Sequence, residues 1–377
     1  MSGQHAFLPP SGAAIWVKCA AAPTMWRRYP EASDKVEAIE GEGAHWACEE
    51  MQAGRVIDVG LVAPNGVVLT EEMVEGAELY FGEILDVLAR YAAFPRPTLQ
   101  VEQRVTMPSI HPENWGTPDT WFWVDKAKHL YLFDYKFGHD YVDEYENWQL
   151  MDYASGILDM LGIDGHEDQR TTVTLTIVQP RCFGHGDPVR RLTVRASELR
   201  ASFNILRMAA EAATAPNPVA TVNAKCKHCA GRHACEVLQR SAYEGMALSK
   251  VSVPVDLPAP ALGLELAMLK RAMEAMKARV SGLEESVFAA VQRGERVPGW
   301  FVEYSSGRQI FNRPASEVIA LGELMGIPLG KQATVTPKQA IKLGIPESII
   351  TAVSEVPRGA PKLVADNLTA MRKVFSK

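Results

Sequence analysis

The stretch that decides the fold is Gly116–Phe137, GTPDTWFWVDKAKHLYLFDYKF. It holds two β-prone runs, Gly116–Asp125 and His129–Phe137, joined by DKAK. Upstream, Thr98–Met107 (TLQVEQRVTM) alternates and is rich in β-formers, so the three runs predict an antiparallel meander. Helical spacing precedes it over Lys35–Ala53 and again after Thr70, where Glu71, Glu72 and Glu75 fill acidic first turns. Helical spacing returns over Glu144–Leu161. Thr171–Gln179 then reads as a β-branched strand, Arg191–Val194 as a short strand and Ser197–Ala213 as a helix. This order predicts an α/β chain with an αβββαβ core and added helices. Ser11 is placed to cap a short helix through Ile15, Trp16 and Cys19.

The chain has 377 residues, 47% hydrophobic and 22% charged, which excludes a disordered or collagenous chain and predicts more than one folding unit. No run of about 18 apolar residues occurs, and the N-terminus lacks a basic segment followed by an apolar one. A soluble cytoplasmic protein without membrane contact is expected. Val251–Pro260 carries three prolines and reads as a linker. The expected division is 1–250, a linker at 251–261, and 262–377 as a long amphipathic helix plus a small α/β module. That module should hold a strand pair near Trp300–Tyr304 and Gln309–Phe311. The net charge of −6 is uneven, with +4 over residues 251–377 and −10 over the rest. An acidic half still suits DNA if its carboxylates converge on metal ions.

The meander carries such a set. Asp134 and Lys136 are two apart at the end of a strand and project to one face, and the neighbouring strand brings Asp119 beside them. Two carboxylates and a lysine suit phosphodiester hydrolysis with Mg²⁺ or Mn²⁺: the carboxylates hold the ion and the ammonium stabilises charge on the phosphate. Glu102 on the first strand is a further candidate carboxylate, with a plain solvated strand residue as the alternative. His45, on the helix before the sheet, is a candidate nitrogen ligand. Gln149 and Tyr153 are four apart on the following helix and share a face suited to a phosphate or to the lysine.

Cys226, Cys229 and Cys235 follow a C-x2-C-x5-C spacing, a metal-site signature. His228, His233 or the distant Cys19 are the candidates to complete it, with zinc or an iron–sulfur cluster as the metal. Cys48 and Cys182 are expected to be buried small hydrophobes.

Taken together, His45, Glu102, the GTPD ending in Asp119, the DYK of Asp134–Lys136 and the QLMDY of Gln149–Tyr153 resemble the PD-(D/E)XK nuclease superfamily, in its branch of RecB-like and CRISPR-associated RecB-like exonucleases. SGAAIWVKC, EGEGAH, YENWQLMDYASG and GAPKLV are similar to phage- and prophage-encoded proteins. The resemblance implies a restriction-endonuclease-like fold. It also implies metal ligation by His45, Asp119, Asp134 and the Tyr135 carbonyl, with Lys136 catalytic. It further implies a 4Fe-4S cluster held by Cys19, Cys226, Cys229 and Cys235, stapling the nuclease domain shut; zinc is the lesser alternative. The expected activity is a DNA nuclease, an exonuclease acting on ends in phage recombination, replication or repair. The alternative is a DNA-end-binding or adaptor protein that no longer cuts. No phosphate-loop motif for an ATP motor occurs, so a helicase or recombination partner would supply movement. Arg190, Arg191 and Arg195 are expected to track a phosphate backbone or to form a solvated face.

Overall fold

The computed structural model describes residues 6–30, 36–182, 187–248, 257–306, 310–311, 313, 315–329, 337–355 and 358–365. Contacts divide the chain into two units, Met1–Val280 and Ser281–Lys377.

The first unit is built on a mixed five-stranded sheet. In chain order the strands of this unit are β1 (Gln100–Val101), β2 (Val105–Thr106), β3 (Trp115–Gly116), β4 (Thr120–Val124), β5 (His129–Tyr135), β6 (Thr172–Val178) and β7 (Val189–Arg195). The sheet order is β1-β4-β5-β6-β7, while β2 and β3 pair separately. β1, β4 and β5 form the expected antiparallel meander. β6 then lies parallel to β5, and β7 returns antiparallel. Its helices are α1 (Ala13–Trp16), α2 (Ala22–Arg28), α3 (Val36–Gln52), α4 (Glu71–Ala89), α5 (Trp148–Leu161), α6 (His166–Arg170), α7 (Ala196–Thr214), α8 (Glu236–Leu248) and α9 (Ala259–Gln292), the last running on into the second unit.

Burial on both faces makes β5 a nearly continuous apolar run, and its two-residue period sorts the side chains. Leu130 and Leu132 join α5 and α7 in one core. Tyr131, Phe133 and Tyr135 join α3 and α4 in another. Each fully buried Leu or Phe contributes about 1.5–3 kcal/mol to this layering. Asp134 therefore sits on the α5 side. α5 begins where the Asn147 side chain accepts a bond from the Leu150 N–H and stops at Gly162, whose φ is 67°. It presses closely on β2: a Cβ at Gly156 would lie 2.5 Å from the Thr106 carbonyl oxygen.

The structure departs from the sequence expectation at several points. The run Thr98–Met107 is not one strand; Glu102 takes a φ of 47°, which breaks it into β1 and β2. Ser11 caps no helix, because prolines 9 and 10 start a 3₁₀ turn at Pro10–Gly12 and the cap of α1 is Gly12. Of the β7 arginines only Arg190 is buried, on Val142 O, Asp187 O and Gln179. Arg191 and Arg195 are exposed, in line with the solvated-face alternative, although Arg191 pairs with Glu83 and Arg195 bonds Arg170 O and Thr172. The boundary between the two units lies within α9, and residues 251–256 of the expected linker lie outside the described set. The reason is local packing: Ala275 and Ala278 of α9 cluster with Leu238, and Met276 fills the space beside Gly245 of α8.

Taken by itself, the second unit packs α10 (Ala315–Leu324), α11 (Pro337–Lys342) and α12 (Glu347–Val353) around Val318, Leu329, Ala340, Ile345 and Ile350. Its strands are β8 (Trp300–Ser306), β9 (Ile310–Phe311), β10 (Ser354–Glu355) and β11 (Arg358–Ala365). The expected pairing of the Trp300 and Phe311 segments does not form. β8 pairs with β11, which offers a longer ladder, and β9 pairs with β10. Gln309 lies outside the described residues. Among the described residues no helix is long and apolar enough to cross a membrane.

Candidate active site

Thr120 of β4 faces Phe133 of β5, so Asp119, one residue before β4, stands opposite Asp134. Asp119 Oδ2 accepts the Tyr135 backbone N–H at 2.6 Å, and its Oδ1 lies 3.6 Å from His45 Nδ1. The Glu102 N–H donates to the Asp119 carbonyl at 3.1 Å, so the break between β1 and β2 sets Glu102 beside Asp119. Ligand atoms of His45, Glu102 and Asp119 lie within 4.8 Å of one another. Asp134 lies outside that trio. Tyr135 enters the site through its backbone, its ring being buried against α3 and α4.

Asp134 is 2% exposed. Lys136 Nζ stands 3.0 Å from each of its carboxylate oxygens. Gln149 completes a closed triangle: its Nε2 donates to Asp134 Oδ1 at 3.0 Å and its Oε1 accepts from Lys136 at 3.1 Å. Asp134 Oδ2 is buried and accepts no properly angled hydrogen bond. Tyr153 does not reach the lysine. Its hydroxyl donates to Thr117 O at 3.1 Å and so holds the segment leading into Asp119.

Two neighbours escaped the sequence reading. Glu49 follows His45 by one helical turn, and burial raises its carboxyl, with Asp119 adding to the rise and His45 opposing it. The His-x3-Glu spacing in Lys35–Ala53 was the available signal. Gln52, almost one turn further, accepts from the Thr120 hydroxyl at 2.8 Å and ties α3 to β4. Arg181 anchors the other end of α3: it pairs with Glu40 of α3 at 2.8 Å and Glu72 of α4 at 2.7 Å.

The electrostatics are those of crowded carboxylates. Asp134 is pushed up to about 6, by burial first, with Asp119 adding to the rise against the pull of Lys136 and His45. Glu102 is exposed as a residue, yet its carboxyl is pushed up to about 8 by local desolvation and by the charges of Asp119, Glu49 and Asp134. Burial alone would lower Lys136, but Asp134 and Asp119 outweigh it and hold the ammonium above its ordinary value. Such a site favours a cation.

Away from the sheet, Cys19, Cys226, Cys229 and Cys235 line one cavity with apolar neighbours including Ile15, Met25 and Leu238. All four are free thiols. Each sulfur accepts an N–H: Cys19 from Thr221 at 3.4 Å, Cys226 from Asn223 at 3.3 Å, Cys235 from Leu238 at 3.5 Å, and Cys229 from Gly231 and the Trp26 indole. Burial raises the Cys226 thiol and pushes Cys229 up to about 11. His228 and His233 do not line this cavity. Cys48 and Cys182 are buried, as expected.

A sequence profile described as "Protein of unknown function (DUF2800)" matches residues 5–366, and the chain belongs to that family. No curated protein matches the sequence. Among solved structures, the chain is similar to the crystal structure of a "Putative exonuclease" from Eubacterium rectale. The two are 9% identical over 68% of this chain and 92% of that one, with a TM-score of 0.32.

Proposed function

We propose that this DUF2800 member is a metal-dependent deoxyribonuclease of the PD-(D/E)XK type, acting on DNA ends. The observation that carries the reading is the convergence of Asp119, Asp134 and Lys136 on adjacent strands, with His45 and Glu102 beside Asp119. The order α4, β1-β4-β5, α5, β6 supports this reading, since it follows the order expected of an αβββαβ core.

The donor set is hard oxygen plus one imidazole, which fits Mg²⁺ or Mn²⁺. His45, Asp119 and Glu102 would hold the ion, with Asp134 Oδ2, which otherwise faces only Lys136, and the Tyr135 carbonyl as further ligands. A bound ion supplies an activated water and neutralises charge on the phosphate. Lys136 stays protonated at neutral pH because two carboxylates face it, so it works as a fixed cation beside the scissile phosphate and not as a base. Gln149 fixes the direction of that ammonium. Tyr153 fixes the Thr117–Asp119 segment.

The cysteine cavity fits a soft-metal centre: four thiols, each accepting an N–H, surround one space. We read it as a 4Fe-4S site. Four cysteine sulfurs with no histidine among the lining residues suit an iron–sulfur cluster, with zinc as the alternative. Such a centre joins residue 19 to residues 226–235 and closes the first unit.

The test is cleavage of end-labelled linear DNA and covalently closed circles by anaerobically purified protein in Mg²⁺, Mn²⁺ or EDTA. Loss of linear DNA with either metal, none in EDTA and intact circles is the expected pattern. Cutting of circles overturns the end requirement. No cutting with either metal overturns the enzyme and leaves a DNA-end-binding protein.

A further inference from the structure

Beside the cysteine cavity lies a second, larger cleft of about 470 Å³, lined by Phe7, Pro9, Pro23, Trp26, Arg27 and His228 among others. Its size falls within the range of about 300–1,000 Å³ typical of small-ligand sites. We infer that this cleft is a nucleotide subsite that captures an unpaired DNA strand, a base stacking in it while its phosphate meets Arg27 and His228. The inference rests on the nuclease reading for its choice of DNA.

Three observations support it. The first is chemical. The Arg27 guanidinium lies 4.4 Å over the Phe7 ring, giving a planar cationic layer next to the Trp26 indole. Aromatic and guanidinium planes are the surfaces on which unpaired bases stack, and stacking tolerates any base. A duplex hides its base faces, so the cleft selects single strands.

The second is charge. The stretches around this cleft, residues 6–30 and 212–235, contain no Asp or Glu. They hold Lys18, Arg27, Arg28, Lys225, Lys227 and Arg232 in a chain whose net charge is −6. Arg27, Lys227 and His228 are exposed. A local basic surface on an acidic protein matches a phosphate backbone.

The third is position. Pro10, next to the cleft residue Pro9, packs on the active-site segment: a Cβ at Gly116 would lie 2.9 Å from Pro10 and 3.0 Å from the Tyr153 ring. Gly116 leads through Thr117 to Asp119. The cleft therefore borders the active-site segment through Pro9 and Pro10. Trp26 also gives its indole N–H to Cys229, so the cysteine centre braces the stacking wall.

The test uses full-length protein and a fluorescein-labelled 20-mer of oligothymidylate, followed by anisotropy in EDTA, where no metal chemistry occurs. Arg27→Glu is expected to weaken binding at least tenfold. Arg28→Glu makes the same charge change on an exposed neighbour that does not line the cleft, and is expected to cost less than threefold. A blunt hairpin duplex should compete at least tenfold less well than the single strand. Phe7→Ala, checked by an unchanged thermal midpoint, should weaken binding as Arg27→Glu does. Equal losses for Arg27→Glu and Arg28→Glu overturn the cleft in favour of a diffuse field. Unchanged affinity in Arg27→Glu, or equal competition by the hairpin, overturns it outright. Because binding is read without metal, a wild type that binds through Arg27 but never cuts counts against the nuclease reading alone.

Discussion

The sheet site and the cysteine region solve opposite electrostatic problems. Around Asp119, four carboxylates (Glu49, Glu102, Asp119 and Asp134) gather near α3 and the ends of β1, β4 and β5, and burial, with their mutual charge adding to it, pushes Asp134 up to about 6 and Glu102 to about 8. Around the cysteine cavity and its neighbouring cleft, residues 6–30 and 212–235 contain no Asp or Glu, and carboxylates come in only at the margin, at Glu236 and Asp140. An acidic site repels a polyanion unless a cation mediates, so under the proposed nuclease reading the carboxylate cluster would not be the surface that attracts DNA. The proposed reading places chemistry in the first region and capture in the second, and this contrast is what the following experiments test.

The sharpest way to break this contrast is Asp119→Ala. It removes the carboxylate shared by His45 and the Tyr135 N–H, and DNA cleavage is predicted to fall by about 10³-fold, or about 4 kcal/mol in the barrier, with DNA binding in EDTA unchanged. Retained cleavage would show that the acidic cluster is only a solvated edge.

Next in size is Cys19→Ser. If four thiols close the first unit around one centre, losing one costs about 2–5 kcal/mol of stability, the scale of losing a long-loop cross-link, together with visible absorption and iron. A variant with full iron content and an unchanged thermal midpoint would mean Cys19 is not part of the centre.

Asp152 gives a smaller effect with a defined sign. It is buried, bonded at 2.7 Å by Asn114 Nδ2, and pushed by burial from 3.8 to about 8. Between those values the folded chain holds a proton that the unfolded chain has released, so wild-type stability falls as pH rises from about 4 to about 8. Asp152→Asn keeps an acceptor for Asn114 and removes this loss. The variant should therefore melt several degrees above wild type at pH 8 and no higher at pH 4. A wild type that is the more stable of the two at pH 8 would contradict this account.

The smallest effect expected is Tyr153→Phe. The ring keeps its packing while Thr117 O loses its donor, so stability should change by about 1 kcal/mol and cleavage by about tenfold. Wild-type cleavage would leave Tyr153 a core residue without a positioning role.

Much of the sheet site was legible because it depends on short-range periods. The two-residue strand period puts Asp134 and Lys136 on one face, and the helix that follows delivers Gln149 to both. Glu102 was named without its geometry, since a φ of 47° is a property of how β1 ends and not of the run TLQVEQRVTM. Glu49 was missed although its spacing from His45 was visible, because a carboxylate on a helix is usually solvated. The β7 arginines were only partly legible for a related reason: Glu83, the partner of Arg191, lies 108 residues away. The cleft could not be read at all, since Phe7, Trp26 and His228 meet only through the fold.

The central claim is that Lys136 acts on the phosphate while the carboxylates and His45 hold the metal. Single-turnover cleavage of linear DNA by wild type and Lys136→Ala, at Mn²⁺ occupancies matched by paramagnetic resonance, tests it most directly. The account predicts equal Mn²⁺ binding and a rate at least about 100-fold lower in the variant. Equal rates at equal occupancy would contradict it.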